Sequence, residues 1–174
     1  VTPVYRWAKA RGQSFYYAMI WLCTRAANEV PAFRMIFDRG EPVLLDRRVP
    51  SFVELQQGSD ALKIITMDMK SALEDFCAAA KERSRNQRTL FGAAERDDAL
   101  YLSCLPWIPF TALTNENSGD PDDAFPRVAW GKYLEQGGRK VLTVSVEVNH
   151  RLVDGVHIGR FYEAFCREVS RLED

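Results

Sequence analysis

Hydrophobic residues recur at helical spacing in four stretches of the chain, and polar or turn residues bound each stretch. Ser14 precedes the longest stretch and Pro31 follows it, while Gly12 ends the first one. Apolar side chains three or four residues apart are typical of amphipathic helices. The predicted helices are residues 2–10, with Thr2 as the N-cap, and residues 14–30, 71–85 and 155–172.

Shorter stretches alternate between apolar and polar residues, which indicates strands. The clearest one is residues 140–149, and the turn at residues 38–40 predicts a hairpin. The predicted strands are residues 33–37, 42–45, 51–55, 61–66, 99–105, 127–133 and 140–149. Because helices and hairpin-linked strands are mixed along the chain, we predict an α+β fold with a mixed sheet and packed helices. The length of 174 residues favours one domain over residues 1–174.

Composition narrows the range of partners. The formal net charge of −1 gives no indication of nucleic acid or an anionic membrane surface as a partner. No apolar run approaches the roughly 20 residues that a membrane-spanning helix needs. The cysteines lie far apart within apolar patterns, which is typical of buried free thiols in a reducing cytoplasm. They are Cys23, Cys77, Cys104 and Cys166.

Both histidines of the chain lie in one short segment at the end of the last predicted strand. His150 is on the valine side of that strand, so we expect a buried, neutral imidazole that can take a proton from a weak nucleophile. A structural histidine is the alternative. Asp154 fits an N-cap of the following helix, and His157 fits packing in its first turn. Only these two histidines approach metal-ligand spacing, so we expect no metal site.

The segment 144–161 resembles the signature of chloramphenicol acetyltransferases, in which a strand ends in His-His-x-x-x-Asp-Gly-x-His before a helix with an Arg-Phe pair. Here Asn149 replaces the first histidine, and His150 and Asp154 match. Residues 14–34 resemble the long helix and following strand of that family. Residues 102–107 resemble its Ser-x-Leu-Pro-Trp block, and residues 133–148 its strand pair. On these four ordered blocks the chain resembles a divergent member of the trimeric, type A family.

The resemblance implies a two-layer fold and transfer of an acetyl group from acetyl-CoA to a hydroxyl of chloramphenicol or a related xenobiotic, as in antibiotic resistance. It assigns His150 as the general base. It assigns Ser103 as the hydrogen-bond donor to the oxyanion, although a lone serine inside a strand is more often structural. It assigns Asp154 a bracing role through an ion pair with an arginine.

The same resemblance implies a cytoplasmic homotrimer in which the active site lies between subunits, with no metal, nucleic acid or membrane involved. An aromatic face and a cation suit adenine and phosphate, but each such residue alone could equally be packing or a solvated charge. The coenzyme A positions it implies are Trp107, Lys132 and Tyr133. The acceptor positions it implies are Phe91, Leu113 and Asn115.

Several departures from the family pattern leave alternatives open. An N-terminal segment that carries the arginine partner of Asp154 and pocket aromatics has no counterpart here, and Ala129 stands where the family commonly has threonine. The polar residues 113–117 favour an acceptor other than chloramphenicol. One alternative is a dihydrolipoyl acyltransferase core with a thiol acceptor, whose motif commonly reads Asp-His-Arg-x-x-Asp-Gly. Another is a trimeric relative that has lost the chemistry, which Asn149 and Ala129 motivate.

Overall fold

The computed structural model describes residues 1–56, 58–92, 96–116 and 118–173, and it has the predicted α+β architecture. The helices are α1 (Thr2–Ala10), α2 (Phe15–Glu29), α3 (Leu73–Asn86) and α4 (Gly155–Ser170), with a 3-10 turn at Pro31–Arg34. The strands are β1 (Met35–Asp38), β2 (Glu41–Leu44), β3 (Val49–Leu55), β4 (Leu62–Thr66), β5 (Ala99–Leu105), β6 (Arg127–Gly131), β7 (Leu134–Gln136), β8 (Arg139–Val141) and β9 (Val144–Glu147).

A five-stranded mixed sheet in the order β4-β3-β5-β6-β9 forms the framework of the molecule. Its three central strands are parallel to each other, whereas β4 and β9 run antiparallel at the two edges. The parallel pair β5 and β6 requires a long crossover, which residues 106–126 provide.

The two faces of the sheet differ in polarity because side chains alternate along each strand. One face packs against the helices and is apolar. Its fully buried residues include Phe52, Ile65, Leu100, Leu102, Val128 and Trp130. The opposite face carries polar side chains from the same strands. They include Ser51, Thr66, Tyr101, Ser103, Arg127, Ser145 and Glu147.

The helix layer is centred on α2, which is buried along most of its length because apolar and small residues occupy nearly every side of it. Ser14 caps this helix by accepting a hydrogen bond from the Tyr17 amide at 3.3 Å. Helix α4 packs beside it, and the Phe161 ring stacks on Phe33 with centroids 5.2 Å apart. This contact fixes the helix that follows His150.

A buried arginine ties several segments together, and no sequence pattern predicted it. The Arg48 side chain has no solvent exposure, and its guanidinium donates to five backbone carbonyls. The acceptors are the carbonyls of Phe33, Met35, Asp97, Ala99 and Ala124, at 2.8–3.2 Å. Burial lowers the pKa of Arg48 to about 10, so the group remains charged at neutral pH.

Several sequence predictions are wrong in detail. The N-cap of α1 is Val1, because the Thr2 hydroxyl instead accepts from the Lys140 amide at 2.8 Å. Residues 33–34 belong to the 3-10 turn, so β1 begins at Met35. The predicted strand 140–149 is two strands, because β8 pairs with β7 and β9 pairs with β6. Cys166 is exposed, although it is a free thiol like the other three cysteines.

His150 also differs from its prediction. Strand β9 ends at Glu147, so the alternation that placed His150 on the buried face no longer applies. The residue lies in a turn and is exposed in the single chain. Within the described part of the chain, no helix is both long and apolar enough to cross a membrane.

Candidate active site

Ser103 lies in β5, level with Ala129 in β6 and Ser145 in β9. Its neighbour Leu102 points into the core, so the serine hydroxyl faces the polar side of the sheet. Ser103 lines two separate cavities, one of about 930 Å³ and one of about 500 Å³. We call these the large cavity and the small cavity. The two cavities therefore share one serine in their walls.

The large cavity contains all three residues that the sequence assigned to coenzyme A. Trp107, Lys132 and Tyr133 line it together with Ser103 and Phe15. The Trp107 side chain is 68% exposed, so its ring face is open to a ligand. The volume falls within the ~300–1,000 Å³ typical of ligand pockets. These residues fit the aromatic and anionic parts of coenzyme A.

Neighbouring aromatic side chains hold Tyr133 in place at this cavity. Its ring makes edge contacts with Tyr5 at 5.6 Å and with Phe15 at 6.2 Å between centroids. The Lys140 ammonium lies 4.4 Å from the centroid of the same ring. A cation over the ring and two aromatic edges restrict its rotation, which favours a fixed surface for stacking.

Cys104 follows Ser103 and also lines the large cavity. Burial raises the pKa of this thiol to about 12, so it stays protonated at neutral pH. Since the thiolate is the nucleophilic form, Cys104 is not suited to carry an acyl group.

The small cavity combines hydrogen-bonding groups with aliphatic walls. Asn115, predicted for the acceptor, lines it together with Ser103. Sequence reasoning missed Tyr101 and Arg127, which also line it; their alternation with buried residues along β5 and β6 could have revealed them. The Arg127 guanidinium lies 5.9 Å from the Tyr101 ring centroid and pairs with Asp123 at 2.7 Å.

The other two predicted acceptor residues lie beside the small cavity. Phe91 is 62% exposed and forms a single bridge with Ile64, which lines that cavity. The carbonyl of Leu113 accepts a hydrogen bond from the Ser145 hydroxyl at 3.0 Å, two residues before Asn115. The structure thus brings Asn115 to the cavity and leaves Phe91 and Leu113 at its border.

The two histidine rings have opposite proton arrangements. His150 Nδ1 lies 3.1 Å from the Val153 carbonyl, which can only accept, so Nδ1 carries the proton and Nε2 is free as a base. His157 Nδ1 accepts from the Asp154 amide at 3.0 Å, so its proton is on Nε2. The exposed position of His150 leaves its basic nitrogen open to another molecule.

Asp154 is the N-cap of α4, as its sequence position predicted. Its carboxylate accepts from the Gly155 amide at 2.6 Å, and with His157 it completes a capping box. No arginine of the described residues lies within ion-pair distance of this carboxylate. Within one chain, Asp154 therefore orders the turn after His150 through the backbone.

Asparagine in place of Asp154 is expected to leave turnover and stability nearly unchanged, because asparagine caps a helix as well as aspartate does. Alanine at the same position should lower the free energy of unfolding by about 1 kcal/mol. Urea denaturation and steady-state assays of both variants test this. Loss of turnover in Asp154→Asn with unchanged stability would instead establish a charge-dependent role, such as the arginine pair.

The strand register separates Ser103 from His150 of the same chain, both across the sheet and along the strands. Ser103 is level with Ser145, two strands away, which corresponds to about 10 Å. His150 then lies beyond the end of β9, past the point where Glu147 pairs with Arg127 at the start of β6. A base and an oxyanion donor that act on one acyl group must each lie within about 3 Å of the atom that it contacts. These two residues of one chain therefore do not converge on one carbonyl.

Ser103, which lines two ligand-sized cavities, and the accessible imidazole of His150 are groups that suit acyl transfer. Comparison with known proteins gives the family. The family model described as chloramphenicol acetyltransferase matches residues 1–165, and the chain belongs to that family. Enzymes of this family use acetyl-CoA as co-substrate.

Individual relatives agree with this assignment. The chain is 29% identical to chloramphenicol acetyltransferase 2 of Escherichia coli over 154 residues, which cover 86% of the chain and 72% of that relative. It is 28% identical to the chloramphenicol acetyltransferase of Staphylococcus aureus over 179 aligned positions, covering 100% and 83%. A solved chloramphenicol acetyltransferase superposes with a TM-score of 0.85 at 25% identity, covering 94% of the chain and 81% of that structure.

The acyltransferase core of a second enzyme group shares the fold. The cubic core of the pyruvate dehydrogenase multienzyme complex superposes with a TM-score of 0.68 at 22% identity, covering 93% of the chain and 71% of that core. This likeness concerns the fold alone. The predicted coenzyme A-dependent acyltransferase fold is therefore confirmed.

Proposed function

We propose that this enzyme transfers the acetyl group of acetyl-CoA to a hydroxyl of a small molecule, with His150 as general base and Ser103 as oxyanion donor. The observation that carries the proposal is the position of Ser103, which lines both cavities. A thioester in the large cavity and a hydroxyl in the small one would meet at this residue. Family membership supports the acetyl donor.

The chemistry follows from the free nitrogen of His150. Acetyl-CoA supplies an activated acetyl group as a thioester. His150 Nε2 removes the acceptor hydroxyl proton while that oxygen bonds to the acetyl carbon. Ser103 donates a hydrogen bond to the acetyl oxygen as it becomes negative. When the carbon–sulfur bond breaks, His150 returns the proton to the departing sulfur, which leaves coenzyme A thiol and an acetyl ester.

The separation of Ser103 and His150 supports a site shared between two copies of the chain, with His150 of one copy reaching the Ser103 region of the next. Such a head-to-tail arrangement closes into a ring, and a homotrimer is the assembly we propose. The polar side of the sheet, which the chain's own helices leave open, is available for this contact. A cytoplasmic location would match the free thiols.

The lining of the small cavity indicates which class of acceptor it can bind. Tyr101, Asn115 and Arg127 give the small cavity more hydrogen-bonding groups than a purely apolar pocket would have. A site built to bond a substrate hydroxyl rejects analogues that lack it. This polar lining favours a smaller and more polar alcohol over chloramphenicol as the acceptor.

Release of coenzyme A thiol from acetyl-CoA tests the proposal when it is followed with chloramphenicol, a panel of small alcohols and dihydrolipoamide as separate acceptors. Release that requires an alcohol is the expected result. Release only with dihydrolipoamide would establish a thiol acceptor instead. No release with any acceptor, while acetyl-CoA still binds, would contradict the proposed O-acetyl transfer and favour a relative without the chemistry.

A further inference from the structure

Alternate residues from β9 to the turn after it hold the crossover segment between β5 and β6 at residues 113–115 and 121–123. Ser145 donates to the Leu113 carbonyl at 3.0 Å, and Glu147 accepts from the Asn115 amide at 2.9 Å and its side chain at 3.1 Å. We call this set the clasp. Its members are Ser145, Glu147, Asn149 and Arg151.

Asn149 makes the most extensive contacts of the clasp. Its side-chain amide donates to the carbonyls of Pro121 at 2.8 Å and Asp123 at 3.0 Å. Its side-chain oxygen accepts from the Arg151 amide at 3.0 Å. Both hydrogens of the amide and its oxygen are therefore engaged, each with backbone groups. One side chain fixes both the crossover segment and the turn.

The backbone of Asn149 shapes the turn that carries the base. Its carbonyl accepts from the amides of Leu152 and Val153, both at 3.0 Å. This double contact folds the chain back so that the Val153 carbonyl meets His150 Nδ1. The hydrogen bond to that carbonyl keeps the proton on Nδ1 and leaves Nε2 basic. The turn therefore sets both the orientation and the proton position of the imidazole.

The middle of the crossover segment reaches the small cavity, where Asn115, Glu116 and Ser118 contribute to the wall. Arg151 adds two contacts further along the same segment: it donates to the Pro121 carbonyl at 3.0 Å and pairs with Asp122 at 2.5 Å. The clasp thus connects the wall of the small cavity to the turn that holds His150.

We propose that Asn149 is a positioning residue for His150: its side chain locks the turn to the crossover segment, so that the imidazole keeps the Nδ1-protonated form and a fixed direction. The inference rests on the proposed role of His150 as the base. The polar atoms of the Asn149 side chain all bond to the protein backbone, so the proposed role does not involve contact with substrate. Its effect should therefore appear in the rate of the chemical step and leave the binding of acetyl-CoA unaffected.

Two substitutions separate the contributions of this side chain. Asn149→Ala removes all three side-chain hydrogen bonds. Asn149→Asp keeps the shape and the acceptor for the Arg151 amide, but it replaces the two donors with an oxygen that faces two carbonyls. Asn86→Ala is the matched control, since Asn86 is an exposed residue at the end of α3.

Both Asn149 variants are expected to lower kcat by about tenfold to a hundredfold, because a displacement of about 1 Å in a reacting group has that effect. The KM for acetyl-CoA should stay within about twofold of the wild type, and Asn86→Ala should match the wild type in both constants. Thermal unfolding of each variant, measured alongside, checks that the compared proteins are folded.

A spectroscopic readout tests the same inference without activity. The chain has two histidines, and in the wild type their ¹⁵N–¹H spectra should report opposite protonated nitrogens, Nδ1 for His150 and Nε2 for His157. In the Asn149 variants, the His150 signals should move toward a mixture of the two forms. The His157 signals should remain as in the wild type.

The outcomes are distinguishable. Wild-type kcat in both Asn149 variants, with an inactive His150→Ala control, would overturn the inference and leave the proposed function intact. Unchanged His150 signals in both variants would also overturn it, whatever the rates are. If His150→Ala itself remains active, the proposed function fails, and the shift of the His150 signals alone decides whether Asn149 holds the ring.

Discussion

Replacing His150 with alanine is expected to lower kcat by about 10³-fold to 10⁴-fold, the upper part of the range for removal of a general base. His150 Nε2 is the free basic nitrogen in the proposed site, since Nδ1 is held by the Val153 carbonyl. The residue lies outside the set that lines the large cavity, so the Kd for acetyl-CoA should remain near the wild-type value. Single-turnover rates and equilibrium binding of acetyl-CoA measure the two effects separately.

The second histidine provides a matched control for this prediction. His157→Gln retains a side-chain acceptor for the Asp154 amide, because glutamine serves at this position of a capping box. We expect its turnover to stay within about twofold of the wild type. Equal losses of turnover in His150→Ala and His157→Gln would mean that the start of α4, and not a histidine base, determines the rate. Retained activity in His150→Ala would exclude His150 as the base.

Replacing Ser103 with alanine is expected to lower kcat by about 10²-fold to 10³-fold, which corresponds to roughly 3–4 kcal/mol for the loss of one oxyanion donor. Ser103 lines both cavities, and its neighbours Leu102 and Cys104 pack in and against the core. Alanine removes the donor while it preserves the strand. The KM for acetyl-CoA should change much less than kcat.

Ser71→Ala is the control for that variant, since Ser71 is exposed just before α3 and away from both cavities. It should behave like the wild type in kcat and in both KM values. If Ser103→Ala weakens acetyl-CoA binding as much as it slows turnover, the hydroxyl serves ground-state binding, and its assignment as the oxyanion donor is wrong.

Helix and strand patterns predicted most of the fold because burial on one side leaves a regular trace in the sequence. The strand over residues 99–105 and the first helix have the predicted bounds, and the ends of the other helices differ by at most two residues. The predicted strand 140–149 is in fact two strands. The chain changes its pairing from β7 to β6 at residues 142–143, while the alternation of apolar and polar residues continues. A change of pairing partner depends on distant segments, and local alternation carries no information about it.

The site shows a similar division. Family resemblance singled out Ser103, and the residues assigned to coenzyme A do share one cavity with it. The clasp could not be predicted from local sequence patterns. Its hydrogen bonds, such as those of Asn149 to Pro121 and Asp123, connect residues 26 to 28 positions apart in the chain. Arg48 is a similar case, since its partners are backbone carbonyls, which every residue has.

In the proposed assembly, Ser103 of one copy of the chain acts together with His150 of another copy. Co-expression of His150→Ala and Ser103→Ala chains with two affinity tags, followed by selection for both tags, isolates mixed assemblies and tests it directly. In a mixed trimer, one junction of the ring combines an intact Ser103 with an intact His150, so we predict about one third of wild-type turnover. Turnover no higher than that of the two pure variants would contradict the claim and place the whole site within one chain.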